Sequence, residues 1–213
     1  MTTQATLPRP IPRDDPAIPP LQSGDLLSRE EFERRWDLHP EIKRAERICG
    51  RVYVQMSLSP LHAESHITAT LWAGTYALRH PECRALDNGT VRLGTDSDPQ
   101  PDLMIRKVSG GMSRRTSSAI EGPPEFVFEL AASSASYDLH DKKELYRSFG
   151  VLEYVVWQLY ENRLDWFRLE NGEYVTVAPD AADMIESVTF PGLRLAVQKL
   201  LTGDGAGVIA ALG

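Results

Sequence analysis

The chain has 213 residues, of which 42% are hydrophobic and 25% charged, and this composition is typical of one soluble globular domain. Its formal net charge of −7 argues against broad electrostatic capture of nucleic acid, although it leaves room for a local basic patch. Two cysteines, Cys49 and Cys83, without CxxC spacing argue against a structural zinc site or a disulfide framework.

The sequence lacks the patterns of membrane and secreted proteins. It contains no run of about 18 apolar residues, and no basic segment leads into an apolar one at the N-terminus. We therefore expect neither a membrane span nor a secretory signal, and a cytoplasmic location.

The composition changes at both ends of the chain. Residues 1–22 are rich in proline and poor in large apolar side chains, so we predict a disordered arm. Residues 23–203 are predicted to form a single domain, and residues 204–213, rich in small side chains, a flexible tail.

The domain begins with a predicted helix and a predicted hairpin. Ser28 followed by Glu31 matches a capping box, which predicts a short helix after Ser28. The alternating segments that follow predict two antiparallel strands with Cys49 and Gly50 in their turn.

A long helix is predicted from Pro60. Ile67, Leu71 and Leu78 recur at helical spacing and are expected to form its buried face. Glu64 lies one turn before Ile67 on the same stripe, where an acid needs a partner.

The same helix contains the segment HAESH, with His62 and His66. It is comparable to the HExxH helix of zinc proteases, but the acid follows the first histidine by two positions instead of one. The general base would therefore point away from the metal. We interpret the two residues as partly exposed histidines near the start of the helix.

Two later strands carry one acid each. Pro101 fixes the start of the strand PDLMI, so Asp102 lies near the N-terminal end of this strand. Side chains alternate in FVFELA, so Phe128 and Glu129 face opposite sides. If Asp102 lies near Glu129, the two carboxylates repel unless a cation joins them. A hard divalent cation, Mg²⁺ or Mn²⁺, would satisfy both.

The next predicted helix carries a lysine. Asp138, Lys142 and Tyr146 recur every four residues on one face, and Gly150 is expected to end the helix. Lys142 could stabilise negative charge on phosphorus or orient a water; a surface ion pair between Asp138 and Lys142 is the alternative. Tyr146 would hydrogen-bond the lysine or a phosphate, or pack between helix and sheet.

Three further strands predict a β-meander at one side of the sheet. The segments EYVVWQL, RLDWFRL and EYVTVA are separated by turn residues at 161–162 and 171–172. The exposed edge of this meander is the expected contact of a homodimer. A strand, a turn at Pro191 and Gly192, and a closing helix are predicted after it.

The order of a PD pair, an acid within an apolar strand and a lysine resembles the PD-(D/E)XK nuclease superfamily. From about Ser28 to Leu201 the sequence is more closely similar to the bacterial Uma family of restriction-endonuclease-like proteins. The most specific signals are Pro101–Asp102, Glu129, the ASYD run up to Asp138, Lys142, Tyr146 and GVLEYVVW from Gly150.

The resemblance implies an α/β restriction-endonuclease-like fold, with a central mixed β-sheet, flanking helices and an added β-meander. It implies Asp102 and Glu129 as metal ligands and Glu64 as the acid that the first long helix donates. The superfamily lysine normally lies two residues after the second acid, and this sequence has Ala131 there. The resemblance implies Lys142 as its replacement.

We therefore expect an endonuclease dependent on Mg²⁺ or Mn²⁺ that hydrolyses phosphodiester bonds of nucleic acid, with DNA as the expected substrate. Asp102, Glu129, Lys142 and Glu64 are its expected catalytic residues. The alternative is a catalytically inactive binding or regulatory module with the nuclease fold, which the acidic net charge and Ala131 favour.

Overall fold

The computed structural model describes residues 18–55, 59–132 and 137–212. Most of the predicted arm, residues 1–17, lies outside these ranges. Leu21, at the end of that arm, is buried in a small core with Phe32 and Val52. The domain therefore begins before the predicted boundary at residue 23.

The helices and strands follow one another in this order: α1 (Arg29–Leu38), β1 (Ala45–Ile48), β2 (Arg51–Val54), α2 (Pro60–Arg79), β3 (Cys83–Asp87), β4 (Val91–Arg92), β5 (Leu103–Lys107), β6 (Arg114–Arg115), β7 (Ile120–Glu121), β8 (Phe126–Ala131), a π-helical turn (Asp138–Lys142) that continues as α3 (Lys143–Ser148), β9 (Glu153–Gln158), β10 (Arg163–Glu170), β11 (Glu173–Val177), β12 (Met184–Glu186), β13 (Arg194–Ala196), α4 (Val197–Leu201) and α5 (Gly205–Ala210). Among the described residues, no helix has both the length and the apolar character required to cross a membrane.

Local signals account for several of these elements. The Ser28 side chain accepts a hydrogen bond from the backbone N–H of Glu31, as the predicted cap of α1 requires. The predicted hairpin forms from β1 and β2. Asn162 and Asn171 adopt positive φ angles in the two turns of the predicted meander.

A six-stranded mixed sheet forms the centre, in the order β11-β10-β9-β8-β5-β3. Strands β8 and β9 are parallel, and the other neighbours are antiparallel. A parallel pair needs a crossover, and the π-helical turn with α3 supplies it. The fold class predicted from the sequence is confirmed, with β9, β10 and β11 as the meander.

Each face of the sheet is covered by a different layer. On one face, α2 packs with Trp72 against Phe126, Phe128 and Trp166. On the other face, α3 packs against the alternate side chains of the same strands, among them Val127, Ala131, Tyr154 and Val156. Glu129 lies on this second face, because side chains alternate along β8.

The predicted buried face of α2 is wrong. Trp72 and Tyr76 are buried, whereas Ile67, Leu71 and Leu78 are 60%, 57% and 89% exposed. The helix carries two apolar stripes on opposite sides, so periodicity does not distinguish them. The aromatic stripe faces the sheet because burying large rings removes more apolar area from water.

The C-terminal residues also differ from expectation. In place of the predicted flexible tail, residues 205–210 form α5, which packs on α4 and α2. Val208 is fully enclosed, and Leu212 is buried in the same core. These aliphatic side chains hold the end of the chain in place.

Candidate active site

Two buried carboxylates meet where β5 begins and β8 ends. Leu103 pairs with Phe128 in this antiparallel ladder, so Asp102 lies beside Glu129. The backbone N–H of Asp102 donates to Glu129 Oε2 at 3.2 Å. Both side chains are buried, with Asp102 6% and Glu129 2% exposed.

Lys142 reaches Glu129 from the opposite layer. Its Nζ lies 2.9 Å from Glu129 Oε1, and the Tyr146 hydroxyl donates to the same oxygen at 3.1 Å. Ala131, at the position where the resemblance led us to look for a lysine, is fully buried and has no group that could fill this role. The π-helical turn that follows β8 thus brings the Lys142 ammonium to Glu129.

Two further acids surround the Lys142 ammonium. Nζ lies 2.9 Å from Glu46 Oε1 and 3.7 Å from Asp138 Oδ1. Burial alone would lower the pKa of Lys142, but Glu129, Glu46 and Asp138 together outweigh it and raise that pKa well above its usual range. The lysine is therefore protonated at neutral pH.

Sequence reasoning missed Glu46. It lies in β1, is 1% exposed, and also accepts hydrogen bonds from the Gln100 backbone N–H and the Gln55 amide, at 2.6 and 3.1 Å. The criterion that identified Glu129, an acid within a predicted strand, applies equally to Glu46. Only the tertiary packing of β1 against the turn at Lys142 shows that it belongs to the site.

Asp102 is held by three groups. Its Oδ1 accepts from Arg44 at 3.1 Å and its Oδ2 from the Leu130 backbone N–H at 2.9 Å. His62 Nε2 lies 3.6 Å from Oδ2. Burial favours the neutral acid, but His62, the Leu130 N–H and Arg44 outweigh it, so the pKa of Asp102 is well below its usual range.

His62 is not the partly exposed residue that was predicted. It is 6% exposed, and its buried Nδ1 has no hydrogen-bond partner among the residues that the structure describes. The reason is that α2 buries the face opposite the predicted one, and this face carries His62 toward Asp102. His66, on the next turn, remains partly exposed and contacts the Asp102 carbonyl oxygen at 3.2 Å.

Glu64 lies apart from this cluster. It is exposed, two positions after the inward-facing His62. Residues two apart on an α-helix point roughly 200° away from each other. The structure thus brings together Asp102, Glu129 and Lys142 and leaves Glu64 on the outer surface.

The cluster has more negative than positive charge. Four acids, Glu46, Asp102, Glu129 and Asp138, face two cations, Arg44 and Lys142, which leaves a formal charge of −2 when His62 is neutral. Burial raises the pKa of Glu129 well above its usual range; Lys142 opposes this rise, and the neighbouring acids add to it.

The donor chemistry fits a hard divalent cation. Among residues 18–55, 59–132 and 137–212, no three His, Cys, Asp or Glu side chains form a ready metal cluster. Asp102 and Glu129 nevertheless supply two buried carboxylates from neighbouring strands, and carboxylate oxygens are the ligands that Mg²⁺ and Mn²⁺ prefer. The excess formal negative charge of the cluster has the sign that such an ion would neutralise.

Two comparisons place the chain among known proteins. The model of the Uma2 family, described as "Putative restriction endonuclease", matches residues 29–198. The fold resembles the crystal structure of "a putative nuclease belonging to DUF820" from Anabaena variabilis ATCC 29413. Its TM-score is 0.61 at 14% identity, covering 74% of this chain and 89% of that chain. No curated protein sequence matches at a significant level.

Proposed function

The chain belongs to the Uma2 family, and on that premise we propose that it is a nuclease that hydrolyses phosphodiester bonds of nucleic acid with a bound Mg²⁺ or Mn²⁺ ion. The observation that supports this proposal most directly is the buried contact of Asp102, Glu129 and Lys142. Burying three ionisable groups is costly, so a function that needs them is favoured over a purely structural role.

Asp102 and Glu129 are the proposed ligands of the ion. When bound, such an ion supplies Lewis acidity toward a phosphoryl oxygen and a water molecule. The low pKa of Asp102 keeps its carboxylate charged and able to bind a cation. Lys142 stays protonated between Glu46 and Glu129, where it can stabilise negative charge that develops on phosphorus.

Arg44 is the proposed contact for the substrate phosphate. One guanidinium nitrogen donates to Asp102, while its Nε is buried with no partner in the described part of the chain. The side chain is 17% exposed, so it lies where the cluster meets solvent. Guanidinium groups bind phosphate through paired N–H donors, and the exposed part of the Arg44 side chain is available for such a contact.

The test is cleavage of DNA and RNA by the purified protein with Mg²⁺ or Mn²⁺. We expect cleavage of DNA, and a loss of about 100-fold or more in rate for Asp102→Asn and Glu129→Gln, because each removes a proposed ligand oxygen. Mn²⁺ should also raise the unfolding temperature of the wild type and not that of these variants.

Glu64→Gln is the matched control. Because Glu64 is exposed on the outer side of α2, this variant should retain wild-type cleavage and the wild-type Mn²⁺ shift. Loss of cleavage in Glu64→Gln, or full activity in Asp102→Asn, would contradict the assigned site. A wild type that neither cleaves nor shifts with Mn²⁺ would favour the inactive binding or regulatory module.

A further inference from the structure

The outer face of α2, defined by Ile67, Leu71, Gly74 and Leu78, is apolar and uncovered by the described residues. The three aliphatic side chains are 57–89% exposed. They lie at positions i, i+4 and i+11 of one helix, on the side opposite Trp72 and the sheet. Contiguous exposed apolar stripes of this kind mark interaction surfaces.

Charge is sparse on α2. Between Pro60 and Arg79 its charged residues are Glu64, near the N-terminal end, and Arg79, at the C-terminal end. A solvated surface helix normally carries charged side chains along its outer face. The middle of this face is therefore suited to contact with another apolar surface, and its two ends have opposite charge.

Gly74 forms a notch beside Leu71. A Cβ atom built at Gly74 meets nothing within 4 Å, so this part of the helix surface is open. If two such helices pack antiparallel about an axis between residues 72 and 73, Leu71 of each copy lies over Gly74 of the other. Ile67 then faces Leu78, and the Glu64 end approaches the oppositely charged Arg79 end.

We propose that the outer face of α2 binds the same face of a second copy of this chain, in an antiparallel, two-fold arrangement. The face is complementary to itself in shape, because Leu71 fits the Gly74 notch, and in charge, because its ends differ in sign. One helix pair is smaller than a standard stable interface, so we expect a dimer that dissociates on dilution.

The second copy is favoured over the chain's own N-terminal segment. Residues 1–17 contain three large apolar residues, Met1, Leu7 and Ile11, and four prolines. Prolines at this density oppose the amphipathic helix that would cover a long helical face. The meander edge at β11, the dimer contact expected from the sequence, is a different surface.

Sedimentation equilibrium over a range of protein concentrations tests the proposal. The wild type should pass from monomer to dimer as its concentration rises. Leu71→Glu and Gly74→Gln should each weaken dimerisation by tenfold or more. Gly74→Gln is informative because its monomer should fold well: the site is open, and glutamine is a better helix former than glycine.

Val175→Glu on β11 is the matched control, since Val175 is 38% exposed at the edge of the sheet. It should dimerise as the wild type does. Three results would overturn the proposal: a wild type that is monomeric at every concentration, a dimer that Val175→Glu dissociates while Leu71→Glu does not, or a dimer lost when residues 1–17 are deleted.

Discussion

Lys142 is the residue on which the buried charges of the site converge. It contacts Glu46 and Glu129 at 2.9 Å, and neither partner belongs to its own helix. From the sequence, a surface ion pair between Asp138 and Lys142 was the alternative to a catalytic role for the lysine. Both side chains are instead buried, with Asp138 3% and Lys142 2% exposed. A buried ion pair is stable only if each of its charged groups has an oppositely charged or hydrogen-bonding partner, because an unpaired buried charge is strongly unfavourable.

Lys142→Met should lower the free energy of unfolding at pH 7 by about 3–5 kcal/mol, because it removes the cation that three buried carboxylates share. Urea unfolding followed by circular dichroism measures this change. Lys143→Met, at the next position, removes a partly exposed cation above the Phe167 ring and should cost about 1 kcal/mol or less. Equal losses in the two variants would refute a special role for Lys142.

The helix α2 shows how an element is oriented by competition between its faces. Its inner face places aromatic rings and small residues on the sheet and directs His62 to Asp102. Its outer face holds aliphatic residues that the rest of the described chain leaves exposed. Rotating the helix to bury Leu71 would expose Trp72, which has the larger apolar surface.

Two neighbouring substitutions test this orientation. Trp72→Ala should destabilise the monomer by about 3–5 kcal/mol, because it leaves a cavity against Phe126 and Phe128. Leu71→Ala should change the stability of the monomer by about 0.5 kcal/mol or less, because Leu71 is 57% exposed. Thermal unfolding of dilute protein measures both, and comparable losses would contradict this orientation of α2.

The C-terminal residues of the chain complete the main hydrophobic core. The core between α2 and the sheet includes Val208 and Leu212, which come from beyond the domain boundary predicted at residue 203. The composition of residues 204–213, which is rich in small side chains, had predicted a flexible tail. Val208 and Leu212, with the partly buried Ile209, attach the segment to the core.

Deletion of residues 204–213 should therefore lower the free energy of unfolding by about 3 kcal/mol or more, since it removes two buried aliphatic side chains from the core. Chemical denaturation of the shortened chain measures the loss. A shortened chain as stable as the full one would restore the predicted boundary.

Local rules account for much of the architecture. Strand alternation put Glu129 on the face opposite Phe128, turn residues located the hairpins of the meander, and a serine cap located the start of α1. These features depend on residues close together in the chain, so a single sequence contains the information.

The composition of the site depended on long-range packing. Glu46, Arg44 and His62 join Asp102 and Lys142 from elements far away in the chain. Helical periodicity finds an apolar stripe but does not say which of two stripes meets the sheet, and that choice turned His62 inward and Glu64 outward. Burial is a property of the assembled layers, and only their packing decided which charges meet.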